Sequence, residues 1–316
     1  MAKIGSFLGA AGMAAIASLA MSTAALADGT GTEEPKFGYS ITLTGTSDYI
    51  FRGISFNDER PAFQPYVEFT YGIGYVGFWF SNISGEGFDP MEMDIVAGIR
   101  PVTGPISWDL GVLYYTYPAN SLGWSATDYV EFKVGASITP ITNLTLGVTG
   151  YWTPDQANYG QTETVEGTAS YTLPKFAIFD PTLSALIGYS NGDDGFSPCA
   201  CATRTDYTYW NVGLKLAVDK YFMDFRYWDT DISKSQLFGS TAAESRFVFS
   251  AVSPSHRFSL LNLPSESTGA LLGPGFLFHQ EAVALAQSGN SRQKSCPGFS
   301  RKRQQSCFRR SSSWSF

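Results

Sequence analysis

Residues 91–100 read MEMDIVAGIR. The odd positions, Met91, Met93, Ile95, Ala97 and Ile99, are all apolar. The even positions, Glu92, Asp94, Val96, Gly98 and Arg100, include three charges. Side chains alternate faces along a strand, so this stretch predicts a strand with one greasy face and one charged face. A half-buried strand of a soluble protein has the same pattern. The rest of the chain must decide whether the charged face meets bulk water or lines an interior whose greasy outside meets lipid.

The N-terminus bears on that choice. Lys3 precedes an apolar or small run from Phe7 to Ala20, and Ala25-Leu26-Ala27 precedes Asp28. This predicts a secretory signal peptide over residues 1–27 and an exported mature chain. Beyond residue 28 no apolar run reaches the length of a membrane helix. Aromatic residues make up 15%, there are 32 Gly, and charged residues are only 16%. Alternation without long apolar runs, in a chain rich in aromatics and Gly, suits an outer-membrane β-barrel.

Charge divides the chain. Residues 253–316 hold eight Lys/Arg against two Asp/Glu, a balance of +6, which leaves −13 for residues 1–252 of the total of −7. The acidic part lacks the basic footprint of a nucleic-acid binder, so no nucleic-acid partner is expected. Cys199, Cys201, Cys296 and Cys307 do not form a disulfide framework for this length. Cys199 and Cys201 read as a loop pair, since neither His nor further Cys stands near them in sequence.

The alternation recurs twelve times. The first segment runs from Phe37 and keeps its parity through Arg52, with Phe37, Tyr39, Ile41, Leu43, Tyr49 and Phe51 on the greasy side. Other clear examples are Trp108, Leu110, Val112 and Tyr114, then Val130, Phe132, Val134 and Ala136, then Trp210, Val212, Leu214 and Leu216. Connectors after even-numbered segments, such as "GIG" and "AVDK", are mostly short. Those after odd-numbered segments are longer and more polar. Short periplasmic turns with long extracellular loops are barrel topology. Aromatics near strand ends (Phe37, Tyr49, Phe51, Trp108, Tyr221, Tyr227) fit interfacial girdles. The fold expected is therefore all-β, a transmembrane antiparallel barrel of about twelve strands over residues 28–252. A soluble β-sandwich also alternates, but it explains neither the export signal nor the loop rhythm.

If the apolar parity faces lipid, the other parity lines a lumen. The candidates are Asp48, Arg52, Glu68, Glu92, Asp94, Arg100, Asp109, Glu131, Lys133, Glu166, Lys215, Asp224 and Arg226. Eight acids and five bases make this interior mildly acidic. It suits either a polar, weakly cation-preferring path or an ion-pair network that closes the lumen. Both His, His256 and His279, fall beyond residue 252. A His-dependent triad inside the barrel is therefore not available, and the chain reads as a non-enzyme. Glu92 with Asp94 invites acid/base chemistry, but nearby bases favour salt bridges. "NGDDG" at 191–195 lacks EF-hand spacing. No cofactor and no metal are expected.

Five stretches carry a family resemblance: "SDYIFRGIS" (47–55), "MEMDIVAGIR", "WDLGVLYYTYP" (108–118), "DYVEFKVG" (128–135) and "DFRYWDTDIS" (224–233). Over about residues 1–250 the chain resembles the TorF-type porins, bacterial proteins once catalogued as of unknown function. The resemblance implies an outer-membrane location in a Gram-negative bacterium and a porin role, with no catalytic residues. It also implies outer-membrane lipid, small polar solutes or ions, and the barrel-assembly machinery as partners.

Such chains usually stop with the last strand. Here the alternation collapses after "SRFVFSAV" (245–252), and residues 253–316 become basic and Ser-rich, ending in "RKRQQSCFRRSSSWSF". A reading-frame shift near 252 explains the change better than a periplasmic binding tail, because no repeat or motif gives the tail its own logic. The tail is expected to be disordered and dispensable for assembly.

Overall fold

A computed structural model of the chain describes residues 37–84, 90–118, 128–156, 160–192, 205–237, 239–253 and 258–259. These fall within one unit, Met1–Pro264, and the remaining unit, Ser265–Phe316, lies outside them. The signal-peptide reading, the Cys199/Cys201 pair, both His and most of the tail are likewise outside the described residues.

Twelve long strands follow one another: β1 (Phe37–Thr46), β2 (Ala62–Tyr71), β3 (Gly74–Asn82), β4 (Met91–Ile99), β5 (Ile106–Thr116), β6 (Tyr129–Ile141), β7 (Leu144–Thr153), β8 (Thr162–Thr172), β9 (Asp180–Gly192), β10 (Asp206–Val218), β11 (Tyr221–Thr230) and β12 (Arg246–Val252). Each pairs antiparallel with its successor, and β12 returns to β1, so the sheet closes into a twelve-stranded barrel. No helix occurs among the described residues. Closure matters because a barrel leaves no row of unpaired backbone groups at an edge.

The short turns cluster at one end. Between β6 and β7, Asn143 takes φ 70, and between β10 and β11, Asp219 takes φ 55. Asn and Asp tolerate this left-handed region, which two-residue hairpins require. All long connections lie at the opposite, loop end.

Alternation sorts the side chains as the pattern predicts. Phe69, Val134, Val148, Ile187 and Phe225 are exposed on the outside, whereas Trp79, Asp94, Glu131 and Tyr209 are buried inside. A barrel whose outside is apolar and whose inside is charged inverts the arrangement of a soluble protein.

The first segment departs from its predicted course. β1 stops at Thr46 rather than continuing through Arg52. Residues 47–61 leave the wall, and 48–57 fold into the barrel, where Ile50–Phe51 pairs with Ile54–Ser55 as a small inner ribbon. Arg52 (φ 46) and Gly53 (φ 84) make its tight turn. A side chain at Gly53 would also come within 2.4 Å of Thr230 Cγ2, so the ribbon presses against the wall. Tyr49 and Phe51, expected in an outer girdle, are instead buried among Phe56 and Trp79.

At the seam, Thr44, Gly45 and Thr46 of β1 oppose Val252, Ala251 and Ser250 of β12. Farther along, Tyr39 opposes Phe258 and Gly38 opposes Ser259. The register has slipped by one residue between the two blocks.

Candidate functional site

The interior has two tiers. The loop-end tier is solid. Its inward side chains, including Gln64, Trp79, Glu92, Asp94, Tyr115 and Tyr207, are all buried, and the ribbon fills the space between them. The turn-end tier is open: Ser40, Thr42, Thr70, Thr168 and Ser170 face inward and stay half-buried.

Arg52 sits at the centre of the solid tier. Its Nη2 donates to both oxygens of Glu131 at 2.9 Å, and its guanidinium lies over the rings of Phe51 and Tyr151. Glu131 also accepts from Tyr115 (2.9 Å) and Thr153 (3.3 Å). Glu166 accepts from Tyr209 at 2.6 Å. Such charge-assisted bonds make it tolerable to bury these ions, because each lone pair finds a donor.

Asp48 ties the foot of the ribbon to the wall. It accepts from Ser55 at 2.8 Å and from Arg246 of β12 at 3.0 Å. Burial pushes its carboxyl above the usual carboxylate range, with Ser55 and Arg246 pulling it partly back. Sequence reasoning missed Arg246, whose parity was visible but whose partner lies 198 residues away.

Two clusters line the open tier. In the first, Arg100 is held bidentate by Glu68 at 2.8–2.9 Å and stacks 3.8 Å from the Tyr75 ring centre. Asp109 accepts from Tyr75 (2.7 Å) and Lys133 (2.8 Å). In the second, Arg226 takes both oxygens of Asp224 at 3.0 Å and reaches Asn211 and Ser184. Gly213 makes room for it, since a side-chain carbon there would fall 2.8 Å from Arg226 Cζ. Lys215 points inward toward the Phe222 ring and meets no acid at salt-bridge distance among the described residues.

All thirteen candidate residues thus lie on the inside, ten by parity within a strand and Arg100 one residue past the end of β4. Asp48 and Arg52 arrive by the ribbon instead. The sequence-level picture of general cross-strand pairing fails at Glu92 and Asp94. Both are fully buried, and neither forms a salt bridge among the described residues.

Which charges are accessible differs from their number. In the open tier the acids are covered: side-chain exposure is 13% for Glu68, 5% for Asp109 and 7% for Asp224. Arg100 keeps 40%, and Lys215 is half-buried. The accessible wall is therefore more basic than composition suggests.

No curated protein matches the sequence significantly. Among solved structures, the NanC porin in a rhombohedral crystal form aligns over 68% of this chain and 98% of its own, with 10% identity and a TM-score of 0.46. The KdgM porin in complex with disordered oligogalacturonate aligns over 69% and 99%, with 11% identity and a TM-score of 0.44. Outer-membrane expressed OmpT of Vibrio cholerae aligns over 72% and 99%, with 12% identity and a TM-score of 0.34. The family model that matches, over residues 29–253, is Gcw_chp, described as a bacterial protein of unknown function. By that match over most of its length, the chain belongs to the Gcw_chp family.

Proposed function

We propose that the protein is an outer-membrane, porin-like passive channel for small polar solutes or ions, held closed at its loop end by the inner ribbon. The observation that carries this reading is the two-tier interior. An open, hydrogen-bonding vestibule leads to a plug that is fastened by ion pairs. A barrel with a purely structural role has no need of a solvated charged vestibule.

The outside supports the membrane placement. Phe63, Tyr114, Trp152, Tyr189 and Phe247 are exposed near the loop end, and Phe37, Tyr71, Tyr171 and Tyr221 near the turn end. Phe63 and Tyr71 are eight residues apart on β2. At ~3.4 Å per residue and ~40° tilt, they are about 21 Å apart in height, close to the apolar band of such barrels. Outer-membrane lipid is then the partner of the outer face, and the barrel-assembly machinery inserts the exported chain. The resemblance to TorF-type porins belongs to the same reading, as does the absence of catalytic function.

The solid tier favours a second reading, a permanently closed barrel that acts through its loops. Planar-bilayer recording separates the two. The intact protein should give rare or small openings, and a variant with residues 50–57 replaced by a short Gly/Ser linker should conduct steadily. Silence of the linker variant, once correctly inserted, overturns the channel reading.

A further inference from the structure

Of the interior acids, Glu68, Asp109, Glu131, Asp224 and Asp48 each have a cationic partner, and Glu166 has a strong tyrosine donor. Glu92 and Asp94 do not. They sit two residues apart on one face of β4, both with no exposed surface. Glu92 Oε1 receives a 3.4 Å contact from Tyr117, and Glu92 Oε2 and both oxygens of Asp94 have no partner at full hydrogen-bond geometry.

The surroundings are equally unsatisfied. The buried Tyr49 hydroxyl faces Glu92 but reaches no partner at full hydrogen-bond geometry. Trp79 is directly opposite Asp94 in register, fully buried, with its indole N–H unpaired. The Tyr49 and Trp79 rings pack 5.3 Å apart on the ribbon side. Two adjacent carboxylates buried without counter-charge are strongly disfavoured.

We propose that Glu92 and Asp94, with the hydroxyls of Tyr49 and Tyr117, hold one hard divalent cation of the Ca²⁺ type between the barrel wall and the inner ribbon. The donor set is oxygen only, which selects a hard cation over a thiophilic or imidazole-seeking metal. No trio of metal-ligating side chains converges among the described residues. The ion would therefore keep water in its shell, with the Trp79 N–H free to donate to an outer carboxylate lone pair. Charge balance points the same way. With Glu92 and Asp94 both ionised, the eight acids named above and six bases (Arg52, Arg100, Lys133, Lys215, Arg226 and Arg246) leave two negative charges inside, which one divalent ion would neutralise. Because Tyr49 belongs to the ribbon, the ion would pin the plug to β4.

The test uses the full chain folded in detergent, stripped with chelator and titrated with Ca²⁺, Mg²⁺ and Tb³⁺. Binding of about one Ca²⁺ per barrel by equilibrium dialysis is expected, with Tb³⁺ luminescence excited through Trp79 and displaced by Ca²⁺. Asp94→Asn and Glu92→Gln should each lower Ca²⁺ affinity at least tenfold, and Trp79→Phe should dim Tb³⁺ emission. Glu163→Gln, on the outer face, should change neither. Absence of stoichiometric Ca²⁺ or Mg²⁺ binding by the folded wild type overturns the site. So does binding that survives in both carboxamide variants. If the variants fail to fold, the wild-type dialysis and Tb³⁺ measurements decide alone. They are independent of conductance, so a silent barrel that binds Ca²⁺ would sink the channel and keep the site.

Discussion

Arg52 and Glu131 meet at 2.9 Å through both carboxylate oxygens, although one sits on a ribbon turn and the other on β6, 79 residues later. This pair is the central fastening of the plug. Glu131→Gln removes one buried partner and should cost about 3–5 kcal/mol. A lower urea midpoint and more frequent channel openings are the expected readouts. Arg52→Lys should fall between wild type and Glu131→Gln, because an ammonium cannot reproduce the fork.

The membrane placement is checked on β7. Val148 is exposed on the outer face near the middle of the strand. Val148→Arg should destabilise the folded barrel in lipid by about 2–4 kcal/mol. Thr149→Arg, one residue on and turned toward the open tier, should cost much less. Equal tolerance of both would point to a soluble barrel.

Ion selectivity follows from exposure rather than count. Arg100 and Lys215 dominate the accessible wall, so the open tier should lean toward anions, against the cation preference that composition suggests. A unit charge ~15 Å away at an effective dielectric of ~20 contributes about 1 kcal/mol. Arg100→Ala with Lys215→Ala should therefore move the reversal potential toward cations by a several-fold change in permeability ratio. An unchanged reversal potential in conducting channels would show that solutes do not pass these side chains.

The seam gives a fourth prediction. On sequence grounds, truncation after Val252 with a restored terminal aromatic is expected to give equal or better assembly; in the structure Leu43 donates to Ser253 Oγ and accepts from its backbone N–H. β1 from Phe37 to Leu43 needs a partner strand. Bare truncation should lower the heat-modifiable fraction in outer-membrane preparations. Replacing residues 253–260 by an alternating strand in the Thr44–Val252 register, ending in an aromatic, should raise it above wild type. If bare truncation assembles best, the one-residue slip is no burden.

The wall was legible in the sequence because period two survives in each strand: MEMDIVAGIR reads the same in the chain and in β4. The ribbon was not. Tyr49 and Phe51 continue the parity of β1, and a strand that turns inward keeps the same alternation as one that stays in the wall. Only Gly53, a residue suited to a left-handed turn, hinted at the break. Inward positions could be read from parity alone, whereas partners could not, since Arg246 and Asp48 meet only when the barrel closes. Glu92 and Asp94 looked like ordinary members of the charged face. Their isolation depends on where the bases of other strands fall.

Among the described residues, a solid tier above an open one makes the barrel a vessel with a single mouth. Arg100 and Lys215 can be wetted and reached by reagents from the short-turn side whether or not anything crosses. Chemistry applied from the other side meets only the lid. Occupancy of the vessel and transport through it are therefore separate events, and a reagent's sidedness, rather than its size, decides which interior groups it reaches first.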